Sequence, residues 1–367
     1  MIIGHRQPVF IIAEAGVNHN GDAKLAHELI DRSAATGANA VKFQTFAAER
    51  LVSPLAAKAE YQKATTGEGS QFSMLRKLEL APGVWPELKQ HCEERGVIFM
   101  SSPFDEQSAD VLVESGIEIL KLGSGELTNR PLIEHCALTG LPTIMSTGMA
   151  TRHEVEAALT WFRTGFRRGA IANTQQERVR FEDSGRIGLL HCVSSYPAPA
   201  HILNLRAIQT LRDVTLVPVG FSDHSVDIGP PQFAVAAGAC MIEKHITLDK
   251  GMEGPDHRAS LEPRAFAAMV EAIRELERML GDGRKMPHES EANVRDVARK
   301  SVVALRPIPR GKEIEAADIG IRRPGNGMAP AHIGQVLGRK ALRDIGAGEA
   351  IQTSWVDLVP EKEHPYF

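Results

Sequence analysis

The sequence predicts an α/β fold, a (β/α)8 barrel followed by a small second domain. Eight short runs rich in Val, Ile, Leu and Phe lie between residues 9 and 243, and segments of helical periodicity separate them. Near-continuous apolar strands need cover on both faces, as in a parallel sheet flanked by helices, and eight such units close into a barrel. An open doubly wound sheet is the competing arrangement, but no GxGxxG turn follows the first strand. A change of texture after residue 281 predicts the second domain.

The strand segments are 9–14 (VFIIAE), 39–44 (NAVKFQ), 97–101 (VIFMS), 117–122 (IEILKL), 142–146 (PTIMS), 187–191 (IGLLH), 215–220 (TLVPVG) and 239–243 (ACMIE). Helices are expected over 23–36, 83–95, 105–115, 130–139, 151–163, 204–212, 227–238 and 261–281. Residues 47–80 form a long excursion after the second strand, placed to lie over the barrel mouth. Residues 164–186 are poor in apolar residues and rich in Arg, Gln and Asn, so a solvated, mobile loop is expected there. The barrel domain therefore spans 1–281. A polar linker follows at 282–299, then a compact domain of short strands and turns at 300–355 and a tail at 356–367. So small a domain has little surface to bury and gains stability from contact with a barrel, that of another subunit included.

Hydrophobic residues make up 43% of the 367, enough for a large core. With 24% charged residues and a net charge of −4, nothing calls for a nucleic acid or an anionic membrane as partner. Cys92, Cys136, Cys192 and Cys240 lie in or beside apolar segments without a close CxxC pair, and read as reduced, buried thiols. No basic segment with an apolar run and cleavage site opens the chain, and no apolar span is long enough for a bilayer, so a cytoplasmic protein is expected.

Barrel enzymes gather their chemistry at the C-terminal ends of the strands. There the sequence places Glu14; Lys42 and Gln44; Ser101 and Ser102; Lys121 and Ser124; Ser146 and Thr147; His191 and Ser194; Ser222, Asp223 and His224; and Glu243, Lys244 and His245. Any one of these could be a hydrogen bond supporting the fold, but their recurrence on nearly every strand points to a site. Lys42 and Lys121 with Ser102, Ser124, Ser146 and Ser222 make a pocket suited to a phosphate or carboxylate, and Gly123, Gly125 and Gly148 let backbone N–H groups approach it. Pairing of the lysines with Glu14 or Glu126 is the structural alternative. His224 and His245 fit an open metal site that polarises a carbonyl, and equally fit substrate-binding or supporting histidines. As ligands, two nitrogens admit Mn, Fe, Co, Ni or Zn and disfavour a pure Mg site.

The motifs EAGVNHNG (14–21), VKFQTF (41–46), SPFDE (102–106), KLGSGEL (121–127), STGM (146–149), HCxSSYPAP (191–199), FSDH (221–224), EKHITLDK (243–250), GPDH (254–257) and RRPGNG (322–327) closely resemble the N-acetylneuraminate (sialic acid) synthase family, which includes the legionaminic acid synthases. The resemblance runs from about residue 9 to 355, and its last segment is similar to an antifreeze-like SAF (β-clip) domain. It implies condensation of phosphoenolpyruvate with an N-acylated mannosamine-type sugar, release of phosphate, and a domain-swapped homodimer. It also implies a divalent metal on His224 and His245, commonly Mn2+, with Mg2+ or Co2+ as alternatives. By the same resemblance Lys42, Ser102, Lys121, Ser124, Ser146 and Ser222 hold phosphoenolpyruvate, Glu14 is the central acid/base, and Gln44 joins the substrate-binding set. Asn18, Tyr196 and Asp256 line the sugar pocket, and Arg323 reaches across the dimer to the N-acyl group. Ser194 departs from the family pattern beside the sixth strand, which alters the reach of the donor there.

N-acetylneuraminate synthase is the main expectation, with a 2,4-diacetamido-2,4,6-trideoxymannose acceptor, giving legionaminic acid, as the alternative. A Schiff-base aldolase using Lys121 and a noncatalytic sugar- or ice-binding protein are the rival classes.

Overall fold

The computed structural model describes residues 1–169, 179–182 and 185–358. Its barrel is closed by eight parallel strands: β1 (Phe10–Gly16), β2 (Ala40–Thr45), β3 (Ile98–Pro103), β4 (Ile119–Leu122), β5 (Thr143–Ser146), β6 (Ile187–Cys192), β7 (Val219–Asp223) and β8 (Met241–His245). They follow one another in sequence order around the ring, and β8 pairs with β1. Because successive strand residues face opposite ways, each strand divides its side chains between two cores. Ile11, Val41, Phe43, Leu120, Met145 and Phe221 pack outward under the helices. Phe10, Ile12, Met100, Ile119, Leu190 and Met241 fill the interior.

Helices return the chain between strands, and short polar residues start several of them. Asp22 accepts from the Lys24 amide, Asp105 from that of Ser108 and Asn129 from that of Leu132, each satisfying a backbone donor the helix cannot use. The seventh unit differs from the sequence expectation. Thr215 ends the helix Arg206–Thr215 and Leu216 turns left-handed at φ 56°, so the strand begins only at Val219. The apolar run TLVPV reads as one strand because its first residues cap a helix whose last turn is also buried.

The stretch 164–186 is corrected in part. The helix Arg152–Gly169 runs six residues beyond the expected end at 163. Beyond it, Arg180–Phe181 pairs in parallel with Ile2–Ile3, and Val179, Phe181 and Ile3 are buried against the interior core. A Cβ on Gly188 would lie 2.8 Å from the Phe181 ring, so the missing side chain makes room for this plug. Isolated apolar residues in a polar stretch carry no period and leave no signal of such a closure. The rest of that loop, 170–178 and 183–184, lies outside the described residues.

The excursion 47–80 forms three short helices, Ala48–Leu51, Glu60–Thr66 and Gln71–Leu78. Phe46, Met74 and Leu78 bury together with Val17, from the turn after β1, in a small core of their own.

The chain divides into two compact units, residues 1–281 and 282–367. The segment expected as a linker carries a helix, Ala292–Ala298. In the second unit β9 (Ser301–Ala304) pairs antiparallel with β10 (Ile319–Arg322), and Val302, Ile308, Ile314, Ile345 and Ile351 form the core. Val356 belongs to that core, so packing continues past residue 355; of the expected tail, 359–367 lie outside the described residues. All four cysteines are free and buried, and among the described residues no helix is long and apolar enough to cross a membrane.

Asp318 ties the second unit together. Its buried carboxylate pairs with Lys312 at 2.6 Å and with Arg306, and accepts the Glu315 amide at 2.8 Å. Burial alone would raise its pKa, but these donors outweigh it and hold the group well below the usual carboxylate range. Its contribution is therefore fully present above the unfolded value of about 3.9 and is lost as pH falls through the depressed folded value. Asp318→Asn is expected to lower the unit's unfolding midpoint at pH 7 and to flatten its acid-unfolding curve below about pH 4, as followed by circular dichroism.

Candidate active site

The inward parity of the strands changes character at their C-terminal ends. On β1 it runs Phe10, Ile12, Glu14; on β2, Ala40, Lys42, Gln44; on β8, Met241, Glu243, His245. The register then sets His245 beside Glu14 and Glu14 beside Lys42 on three neighbouring strands. Apolar residues thus fill the lower barrel, and ionisable ones crown it.

Two lysines and two carboxylates meet there, each no more than 5% exposed. Lys42 Nζ lies 2.6 Å from Glu14 Oε2 and 3.6 Å from Glu243 Oε2, and Lys121 Nζ lies 3.7 Å from Glu243 Oε1. Lys42 also donates to Ser102 Oγ at 3.2 Å and Lys121 to Ser146 Oγ at 2.7 Å. Gln44 donates to Glu14 at 3.0 Å, and Ser222 to Glu243 at 2.8 Å. Burial pushes the Glu14 carboxyl up against the pull of Lys42, with Glu243 adding to the rise. Burial acts on Glu243 as well, but Lys121 and Lys42 overcome it and hold that carboxyl below its usual range. One carboxyl is thereby disposed to carry a proton and the other to stay ionised.

The turns after β4, β5 and β6 complete an anion cradle. The Gly148 amide donates to Ser124 Oγ at 3.0 Å, and Ser124 Oγ lies 3.1 Å from Cys192 Sγ. A Cβ on Gly148 would collide with Ser194 Oγ, Ser124 Oγ and Cys192 Sγ, so only glycine lets the backbone sit this close. Ser194 is thus part of the cradle wall.

Beside it, just past β7 and at the end of β8, the rings of His224 and His245 stand 5.9 Å apart. His224 Nδ1 donates to the Val193 carbonyl at 2.7 Å, which leaves the Nε2 lone pair facing Tyr196 and Ser222, each at 3.3 Å. His245 Nδ1 is buried without a hydrogen-bond partner. Burial lowers the pKa of both rings, and His224 lowers that of His245 further. Two neutral imidazoles with nitrogen lone pairs to offer fit a divalent metal. Among the described residues no third His, Cys, Asp or Glu joins them, so the remaining ligands would come from water or substrate, as at an open site.

Asp256 is buried, and burial raises its carboxyl to about 6 against the opposing pull of Lys42. Asn18 is anchored: its amide donates to the Ile246 carbonyl and to Ser260 Oγ, and its Oδ1 is left without a partner. Arg323 lies exposed on the second unit. Glu126, the structural alternative for a lysine partner, bonds Asn129 instead.

Four polar residues of the strand ends turn away from the mouth. His191 bonds the Leu203 carbonyl and Ser101 bonds Thr45. Lys244 and Asp223 form an ion pair with both side chains fully buried, and the ammonium also donates to the carbonyls of Ser225 and Asp227. Asp223 in turn accepts from the Ser225 amide and hydroxyl at 2.9 Å each, so the pair braces the segment that carries His224. Glu243 is the main functional group that the motifs left without a role, although it stands two residues before His245 and shares its inward parity. Tyr61, from the excursion, gave no sequence signal; it stacks on Tyr196 with ring centres 5.1 Å apart. A separate cleft of about 380 Å3 lies between the excursion and the loop before Asp256, bordered by Asn20, Lys58, Glu68, Lys77, Glu253 and Pro255.

A closed parallel barrel with an anion cradle, opposed carboxyls and paired histidines at the C-terminal mouth has the layout of a barrel enzyme acting on an anionic substrate. Family models match the NeuB family over residues 29–285 and the SAF domain over residues 299–357, and the chain belongs to the NeuB family. It is 43% identical to the N,N'-diacetyllegionaminic acid synthase of Legionella pneumophila, covering 95% of this chain and 94% of that one. Identity to the human N-acetylneuraminate-9-phosphate synthase is 32%, over 97% and 94%. The crystal structure of a Leptospira borgpetersenii N-acetylneuraminic acid synthetase in complex with citrate superposes with a TM-score of 0.68 at 36% identity, covering 80% of this chain and 92% of that one.

Replacing Lys244 with Met leaves Asp223 charged, buried and without its cation. A loss of about 3–5 kcal/mol is expected in denaturant unfolding, because an uncompensated buried charge costs that much; a loss below about 1 kcal/mol would show that the brace is dispensable.

Proposed function

We propose that the chain condenses phosphoenolpyruvate with an open-chain N-acylated mannosamine-type sugar, adds water and releases inorganic phosphate by C–O cleavage. The observation that carries this reading is the buried set Lys42, Lys121, Glu14 and Glu243 beside two neutral histidines. It combines a cradle for a phosphate and a carboxylate with an acid/base group at one mouth. Of the two acceptors considered, 2,4-diacetamido-2,4,6-trideoxymannose is favoured, because the 43% identical relative carries the legionaminate name and the neuraminate relatives stand at 32% and 36%. N-acetylmannosamine is the second reading, supported by the similarity to the Leptospira synthetase.

In this proposal Lys42 and Lys121, with Ser102, Ser124, Ser146 and Ser222, hold the phosphate and carboxylate of phosphoenolpyruvate by charge-assisted hydrogen bonds. The enol carbon C3 bonds to the aldehyde carbon, and the aldehyde oxygen takes a proton as it becomes a hydroxyl. Glu14, beside Lys42, supplies that proton. As a carboxylate it then draws a proton from the water that adds at C2 of the former phosphoenolpyruvate. Collapse of the resulting tetrahedral carbon turns the added hydroxyl into the C2=O ketone, its proton leaving with the phosphate, and breaks the bond from C2 to the phosphate oxygen, while the two lysines offset the charge on the departing phosphate. Glu243 stays ionised and keeps both lysines charged. When bound on His224 and His245, a divalent metal supplies a Lewis acid for the aldehyde. Manganese as that ion, a cytoplasmic location, and a homodimer in which Arg323 serves the acceptor's N-acyl group belong to the same proposal, supported by the resemblance of RRPGNG and the other motifs.

Phosphate release by metal-stripped protein, with phosphoenolpyruvate and each acceptor, tests the reading. Release is expected with added Mn2+ and with the trideoxy sugar ahead of N-acetylmannosamine; release with neither would refute the acceptor class. Glu14→Gln is expected to lower kcat by about 10²–10⁴, the usual worth of a positioned acid/base group, while leaving the KM for phosphoenolpyruvate near its original value. An unchanged kcat would remove Glu14 from the proton transfers.

A further inference from the structure

The excursion after β2 brings one side chain onto Tyr196, the ring that covers His224. Lys58 is buried and donates from its ammonium to the Thr66 hydroxyl and the Gly67 carbonyl, each at 2.9 Å, which fixes the helix Glu60–Thr66 to the turn that follows it. Tyr61 lies on that helix. Its ring covers Tyr196, and Tyr196 covers His224 with centres 4.2 Å apart while standing edge-on to His245 at 6.2 Å. Three layered rings thus lead outward from the histidines to the excursion. Burial, and after it the charge of Asp256, keeps both phenols above their ordinary range, so Asp256 is close enough for its charge to act on both rings.

We propose that Tyr61 determines acceptor specificity: its ring forms the apolar wall for the end of the sugar remote from the aldehyde, and it favours a deoxy methyl carbon there over a hydroxymethyl group. The inference rests on the condensation proposed above. The lysine and serine cradle lies next to the histidines, which mark the aldehyde end. The rest of the acceptor then runs outward along the rings toward the excursion. Asp256 can accept from a hydroxyl or an acylamino N–H on this path. The faces of the rings, unlike their phenol edges, offer contact to a methyl group and no hydrogen bond to a hydroxyl. An apolar wall of this kind discriminates by roughly 10–200-fold, less than a site that must pair a buried polar group.

The test compares kcat/KM for 2,4-diacetamido-2,4,6-trideoxymannose and N-acetylmannosamine at saturating phosphoenolpyruvate, in the full chain and in its Tyr61→Ala and Tyr61→Phe variants. Tyr61→Ala is expected to lower the trideoxy-to-N-acetylmannosamine ratio by about tenfold or more. The change should lie mainly in the sugar KM, with the phosphoenolpyruvate KM unmoved. Tyr61→Phe keeps the ring and should keep the ratio. Equal losses on both sugars in a folded Tyr61→Ala protein, or a ratio lost in Tyr61→Phe, would overturn the wall. A wild-type chain inactive on both sugars would instead overturn the acceptor class, and this inference with it.

Discussion

Two lysines and two carboxyls taken out of water at one end of a barrel constrain everything around them. Carboxyl and ammonium groups alternate along the contacts Glu14, Lys42, Glu243 and Lys121 across the mouth, and each is nearly fully buried. Isolated charges in such a place would neutralise or unfold the protein, so each is tolerable only because an opposite charge and a hydroxyl or amide donor stand within reach. Without substrate, ionised Glu243 stands between the two lysines. An incoming anion would therefore find cations already oriented by carboxylates and serines, with little reorganisation left to do.

The barrel supplies the rigidity that this balance requires. Period-two alternation puts the ionisable residues inside at the strand ends and aliphatic ones beneath them, while the neighbouring outward positions hold the helices. The same alternation explains the second buried ion pair. Lys244 falls between Glu243 and His245 and so points outward, where it meets Asp223, the outward neighbour of His224. One pair thus holds the site from inside the barrel, and the other braces the loop of a histidine from outside.

The excursion is less regular than the strands and helices of the barrel. It has its own small core, and the buried Lys58 ammonium closes its turn. Its contribution to the mouth is concentrated in Tyr61. A layer built on loops and short helices can vary without disturbing the strand-end charges, which separates the chemistry on the barrel from the recognition above it.

By itself the sequence determined the repeat of strand and helix, the polarity of the strand ends and the long motifs, because each is written in local order: period two, period 3.6 and contiguous residues. The set Glu14, Lys42, Lys121, His224 and His245 was legible for that reason, and the parity of Glu243 was there to be read as well. Tertiary structure alone decided which neighbours these groups meet. It gave Lys121 to Glu243 rather than Glu126, turned His191 to the Leu203 carbonyl, placed Phe181 under the barrel and stacked Tyr61 on Tyr196. Except for His191 and Leu203, 12 residues apart, these contacts join residues far apart in the chain, and closure of the barrel, not local propensity, fixes the distance between them.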